Sequence, residues 1–229
     1  MCLSGCTPRK KPKGKSKTIK KTKVSCPKGV MTEKEAEDIF KELAKNPDIP
    51  FDYPVDCCYS RAHEMCRIME SKGIQCNKYW LFDKDWGTMA MKPSLEPKDK
   101  AGNPITFPDS SGNKQQVRWV YHVAPIVRVM KSDGTVEERV IDPSIANQPV
   151  TKDEWKKIMG NPSGSYAEES KSQAYFQNKK HGVTPSGSNS HAYKEDPTGQ
   201  EAKKQMKKHK KQRDINNKKA AKKIGSKTP

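Results

Sequence analysis

The first 28 residues contain no acidic side chain, and the last 28 contain only Asp214, against ten and twelve Lys/Arg respectively. These two ends hold +21 of formal charge in a chain whose total is +18, so residues 29–201 carry about −3. This differs from a basic nucleic-acid-binding fold, because the folded surface itself need not carry a positive field; the charge belongs to the tails. No apolar run approaches the ~20 residues that cross a bilayer, and no positive-then-apolar signal segment opens the chain. Leu3-Ser4-Gly5-Cys6 has the form of a lipoprotein cleavage box but lacks the apolar segment that should precede it, and is read as chance. There is no C-x-x-C pair and the five histidines are scattered, which argues against a metal site. Seven cysteines, an odd number at irregular spacing, favour a reducing working compartment. Apolar residues are 32% of the chain and the mean hydropathy is −1.02, which suits one globular domain with appendages.

Along the chain, residues 1–28 are a basic disordered tail or linker, with almost nothing to bury. Thr32-Glu33-Lys34-Glu35 is a capping box, and Ala36, Ile39, Phe40, Leu43 and Ala44 follow at helical spacing. A second helix runs from Cys58 to about Lys72 through Ala62, Met65, Cys66 and Met69, and stops at Gly73. Asn77 to Phe82 reads as a buried strand, and 83–116 as a surface insertion or flap. Val117–Met130 and Thr135–Asp142 read as a hairpin. A second capping box, Thr151-Lys152-Asp153-Glu154, opens a short helix that closes at Gly160. Residues 200–224 read as a solvated or partner-dependent helix, having too few apolar residues for a core face. The division is thus 1–28, a catalytic domain at 29–180, and a mobile Ser/Gly segment with a basic C-terminal tail at 181–229.

Asp56-Cys57-Cys58-Tyr59-Ser60 places a thiol at a helix start, where the helix dipole and unpaired N–H groups favour a thiolate. Position alone does not separate Cys57 from Cys58. His63 lies five residues on, about 140° around the helix from Cys58, and so points away. The hairpin offers another base. With a three-residue turn, Ser132-Asp133-Gly134, Lys131 opposes Thr135, and Asp142 lies diagonally from His122 on one face. A two-residue turn would put them on opposite faces.

Three motifs, Cys57-Cys58-Tyr59-Ser60-Arg61-Ala62-His63-Glu64-Met65, Trp119-Val120-Tyr121-His122-Val123-Ala124 and Arg139-Val140-Ile141-Asp142-Pro143-Ser144, together resemble the bacterial protein-glutaminase family. The resemblance implies an α+β, papain/transglutaminase-like core with the nucleophile-bearing helix packed on an antiparallel sheet. It assigns Cys58 as nucleophile, since the family has glycine at the position of Cys57, with His122 as base and Asp142 as the acid that orients it. It implies a cysteine amidohydrolase that converts protein-bound glutamine to glutamate and ammonia through a thioester, with no cofactor and no metal. The basic-tailed chain resembles the family's toxin or effector modules more than its secreted enzymes, which implies delivery by a non-signal-peptide route into a target-cell cytosol; the alternative is a cytoplasmic enzyme. A transglutaminase or cysteine protease would use the same triad.

Each residue also has a plainer reading. A lone cysteine at a helix start is more often a small core residue, His122 is a satisfied core histidine, and Asp142 before Pro143 is a turn residue. Cys66 and Cys76 read as core thiols, and Trp119 and Tyr121 as a buried platform on the strand face opposite His122. The implied partner is a protein with an exposed glutamine. The tails add three candidates: a carrier, immunity or other acidic protein, nonspecific nucleic acid, and an anionic membrane. A non-catalytic basic-tailed binding module is the remaining alternative.

Overall fold

The structure, a computed structural model, describes residues 26–86, 92–99, 101–160, 163–177 and 193–225. Most of the expected basic N-terminal tail, and the Ser/Gly segment around 181–192, lie outside the described residues. The elements in chain order are β1 (Val30–Thr32), α1 (Glu33–Ala44), α2 (Cys58–Ser71), β2 (Asn77–Asp83), β3 (Thr106–Pro108), β4 (Lys114–Gln116) and β5 (Tyr121–Met130). After these come β6 (Val136–Val140), β7 (Val150–Thr151), α3 (Lys152–Ile158), β8 (Ser165–Lys171), β9 (Ala174–Gln177), β10 (Tyr193–Glu195) and α4 (Gln200–Gly225).

The fold is α+β. Its main sheet runs β7-β6-β5-β2-β8, all antiparallel pairs, with β1 added parallel to β5. Alternation along β2 divides the core in two. Trp80 and Phe82 pack with Phe40, Leu43, Met65 and Met69 of α1 and α2, whereas Tyr79 and Leu81 pack with Trp155 of α3. The helices therefore cover both faces of the sheet, with the α2 layer on one side and α3 on the other.

Both capping boxes form: Thr32 with Glu35, and Thr151 with Glu154. The 83–116 segment is more structured than a flap. Leu95 bridges Trp119, Val117 is fully buried, and β3 and β4 pair as a hairpin whose Phe107 packs on the α3-side core. β8 was not legible in the sequence because Ser165-Tyr166-Ala167-Glu168-Glu169-Ser170-Lys171 has little to bury; it is the outer strand beside β2, and its charges suit an exposed edge.

The largest difference concerns α4. Residues 200–225 do form a helix, but it is docked on the domain rather than solvated all round. Ala202 and Met206 are buried, Met206 within the core beside α2. Asn216 Nδ2 donates to Pro108 O at 2.9 Å, and Lys210 Nζ to Pro47 O at 2.7 Å. A few small or amphipathic contacts spread over 26 residues replace the continuous apolar stripe whose absence suggested a free helix.

Candidate active site

Cys58 is the first residue of α2, and Cys57 caps that helix at φ +73°, the one non-glycine with positive φ among the described residues. This is the position where the motif comparison expects glycine, and the backbone explains why: a residue with a Cβ is strained there. Asp56 stabilises the turn by accepting the Cys57 N–H on Oδ1 at 2.6 Å. Arg61, one turn on and 2% exposed, donates Nη1 to the carbonyls of Tyr53 (3.1 Å) and Asp56 (2.7 Å).

His122 and Asp142 come from the hairpin. Its turn has the three-residue form: Gly134 sits at φ +83°, and Lys131 N donates to Thr135 O at 2.8 Å. The ladder pairs Ile126 with Val140, which carries Ala124 opposite Asp142. As a result His122 Nε2 lies 2.8 Å from Asp142 Oδ2, both side chains almost fully buried. Two further residues hold the carboxylate with three donors: Trp155 Nε1 to Oδ2 at 2.9 Å, and the Ser144 hydroxyl and N–H to Oδ1. Burial works against the charged carboxylate, but the His122, Ser144 and Trp155 donors outweigh it and hold the Asp142 pKa below its usual value.

Cys58 meets β5 at the residue after His122. Pro125 O accepts Ile141 N–H, so odd-numbered residues of β5 present their main chain toward β6. The β6 ladder ends at Val140, which leaves Val123 facing an open edge. The Cys58 sulfur occupies that edge, against the Val123 N–H, one residue from His122. His122 Nδ1 is buried with no hydrogen-bond partner. With Nε2–H donated to an ionised Asp142, Nδ1 is the ring's basic nitrogen.

Two expectations need correction. The helix terminus was expected to make a resting thiolate; instead burial pushes Cys58 up to about 12, only partly offset by Arg61 and the Val123 N–H. Burial likewise lowers the His122 pKa, despite Asp142. Burial thus works against the charged form of both groups. Trp119, expected opposite His122, stacks on it with ring centroids 4.1 Å apart and planes within 6°. Strand alternation does not reach Trp119, because β5 starts only at Tyr121 and residue 120 is a bend. Tyr121 does face the α2 side, packed with Trp80, Phe82 and Trp86.

His63 is fully engaged elsewhere: Nδ1 accepts from Lys78 Nζ at 2.9 Å and Nε2 meets Asp196 O at 2.7 Å. Cys66 is buried and Cys76 half-buried. Among the described residues, no group of three or more His, Cys, Asp or Glu side chains is placed to hold a metal ion. Sequence reasoning missed Trp155, Ser144 and Arg61 as supports. Ser144 and Arg61 were within the quoted motifs, while nothing in the sequence links Trp155 to the site.

A family model described as glutaminase, a glutamine-deamidase family, matches residues 36–159, more than half of the chain. The chain belongs to the protein-glutaminase family. It is a glutamine-deamidating enzyme, and the matched span holds Cys58, His122, Asp142 and Trp155. A search of curated proteins gave no match. Among solved structures, this glutaminase is similar to a crystal structure of protein-glutaminase (22% identity, 78% of this chain and 87% of that one, TM-score 0.55). An NMR structure of protein-glutaminase from Chryseobacterium proteolyticum matches at 22% identity over 79% of this chain and 88% of that one, TM-score 0.55. A pro-protein-glutaminase crystal structure matches over 83% of this chain and 62% of that one, at 22% identity and TM-score 0.55.

Proposed function

We propose that this glutaminase acts on glutamine side chains in proteins, with Cys58 as nucleophile, His122 as acid–base and Asp142 as the group that orients it. The observation that carries the reading is the Cys58 sulfur against the main chain of Val123, the residue that follows a buried His122 whose Nε2 is bound to Asp142 and whose Nδ1 is unpartnered.

Burial that disfavours both charged forms suits a proton transfer coupled to attack. The Cys58 thiol passes its proton to His122 Nδ1 as sulfur bonds to the γ-carbonyl carbon. Main-chain N–H groups at the start of α2 face the oxygen that gains charge. The intermediate collapses: the C–N bond breaks, the imidazolium protonates the leaving amine, and ammonia departs from a γ-glutamyl thioester. Water then attacks with His122 Nδ1 as base, the C–S bond breaks, and the thiol recovers its proton. Asp142 keeps the proton on Nε2 throughout, so that Nδ1 faces the chemistry.

The deciding assay incubates a glutamine-bearing protein with wild type and Cys58→Ala and follows ammonia and mass. An amide-to-acid change made only by wild type supports the reading. Cross-links would assign a transglutaminase, fragments a protease, and equal ammonia release by Cys58→Ala would rule out the nucleophile.

The role of a toxin or effector delivered to a target-cell cytosol rests on motif resemblance and on the balanced charge of the 29–201 region between basic ends. It predicts that cytosolic expression of wild type slows growth of a sensitive cell and that Cys58→Ala does not. Equal growth would leave a cytoplasmic enzyme as the better reading.

A further inference from the structure

The helix that the sequence reads as a tail reaches the chain segment from which the nucleophile helix starts. His209 of α4 stands with its ring centroid 5.9 Å from that of Tyr53, and its Nε2 lies 3.7 Å from Asp56 Oδ2. One turn further, Arg213 Nη1 pairs with Asp52 Oδ1 at 2.8 Å, and one residue after His209, Lys210 holds Pro47 O. From the inner side, Arg61 of α2 grips the same segment through the Tyr53 and Asp56 carbonyls. From the base side, Trp119 Nε1 donates to Pro54 O at 2.9 Å while its ring stacks on His122. Residues 47–56 are thus fixed from three directions. Their last residue, Asp56, fixes the left-handed turn at Cys57.

We propose that His209 and Arg61 are positioning residues for Cys58, holding Tyr53 to Asp56 from opposite sides so that the strained turn at Cys57 aims the first side chain of α2 at the open edge of β5. The inference rests on Cys58 being the nucleophile. Its physical basis is that a non-glycine left-handed residue persists only where its surroundings over-determine it. Asp56 accepts the Cys57 N–H on one oxygen and faces the imidazole with the other, while Arg61 fixes its carbonyl. Loosening either grip lets the turn relax toward ordinary φ and rotates Cys58 away from Val123. The charged groups around the His209 ring are Asp56 and Arg61 across from it and Lys208 on its own helix. Burial works against its charged form, so the ring braces Tyr53 and Asp56 as a packed polar group rather than through a formed hydrogen bond. Glutamine can imitate that role.

The test uses the full chain with His209→Ala, His209→Gln, Arg61→Lys and Lys207→Ala, the last on the exposed side of α4. Ammonia release from a blocked glutamine peptide gives kcat and KM, iodoacetamide gives the Cys58 alkylation rate, and a melting curve confirms each variant is folded at the assay temperature. His209→Ala and Arg61→Lys are expected to lower kcat by roughly 10-fold or more with KM within about twofold. Alkylation of Cys58 should change in parallel, His209→Gln should recover much of the loss, and Lys207→Ala should match wild type. Wild-type kcat in folded His209→Ala overturns the proposal, as does a loss confined to KM or one that glutamine does not recover. Cys58→Ala, run alongside, separates the two claims. If it is inactive while His209→Ala is fully active, only the positioning fails; if it is active, the nucleophile assignment fails first.

Discussion

At the scale of single residues, the site turns a buried polar cluster into a directional one. Asp142 takes donors from His122, Ser144 and Trp155, so its charge is met on both oxygens, while His122 keeps one nitrogen open. Asp142→Asn reverses the tautomer logic and should lower kcat by roughly 10²–10⁴-fold with the fold intact by circular dichroism. Trp155→Phe removes the indole donor and should cost about 1–3 kcal/mol of stability, read from a denaturant midpoint. The pH dependence follows from the directions of the shifts. In the proposed mechanism His122 accepts the thiol proton and must be neutral to do so; burial lowers its pKa from 6.5, so kcat/KM should hold as pH falls to about 6.5 and fail only at lower pH. Asp142 has a folded pKa below its usual 3.8, so its stabilising contribution is present above that value and is lost as pH falls through the folded pKa. Cys57 carries a conformational strain of ~1–2 kcal/mol, so Cys57→Gly should melt no lower than Cys57→Ala and should leave Cys58 alkylation intact. The His122–Asp142 pairing was legible because turn length and strand parity determine it. Trp155 was not, because it reaches Asp142 from a separate helix, and Arg61 was not, because its grip on the Tyr53 and Asp56 carbonyls depends on an irregular loop that no local period encodes.

At the scale of elements, the hairpin turn sets the site's register. Gly134 has open space around its Cα, so Gly134→Ala meets no clash and pays only the left-handed backbone penalty of ~1–2 kcal/mol. If that penalty drove the turn to a two-residue form, Asp142 would move to the other face. The variant is therefore expected to lose stability in thermal melts and to lose activity whenever the register slips. Helices α1 and α3 could be read from their capping boxes, and α2 from its apolar spacing ending at Gly73. β1, β8 and β10 could not, because strands of three residues or with a polar edge carry too few apolar positions. α4 was visible as a helix but not as a docked one, since its anchors are Ala202, Met206 and polar tips rather than an apolar stripe.

At the scale of the whole molecule, the charge division means the chemistry need not depend on the polybasic N-terminus. Cys58, His122, Asp142 and their supports lie between residues 53 and 155, with α4 as the outer brace. A chain lacking residues 1–25 should keep kcat/KM on a blocked glutamine peptide within about twofold, and a larger loss would give that segment a role in the chemistry. The same layout concentrates the account into one claim, that a γ-glutamyl group passes through Cys58 and no other thiol. The most direct test is acid quenching of enzyme turning over a glutamine peptide, followed by peptide mass mapping. Acyl transfer through Cys58 would leave an acyl adduct on the fragment bearing Cys57 and Cys58, assigned by fragmentation to Cys58, with no adduct or ammonia from Cys58→Ala. An adduct on Cys57, or deamidation by Cys58→Ala, would contradict it.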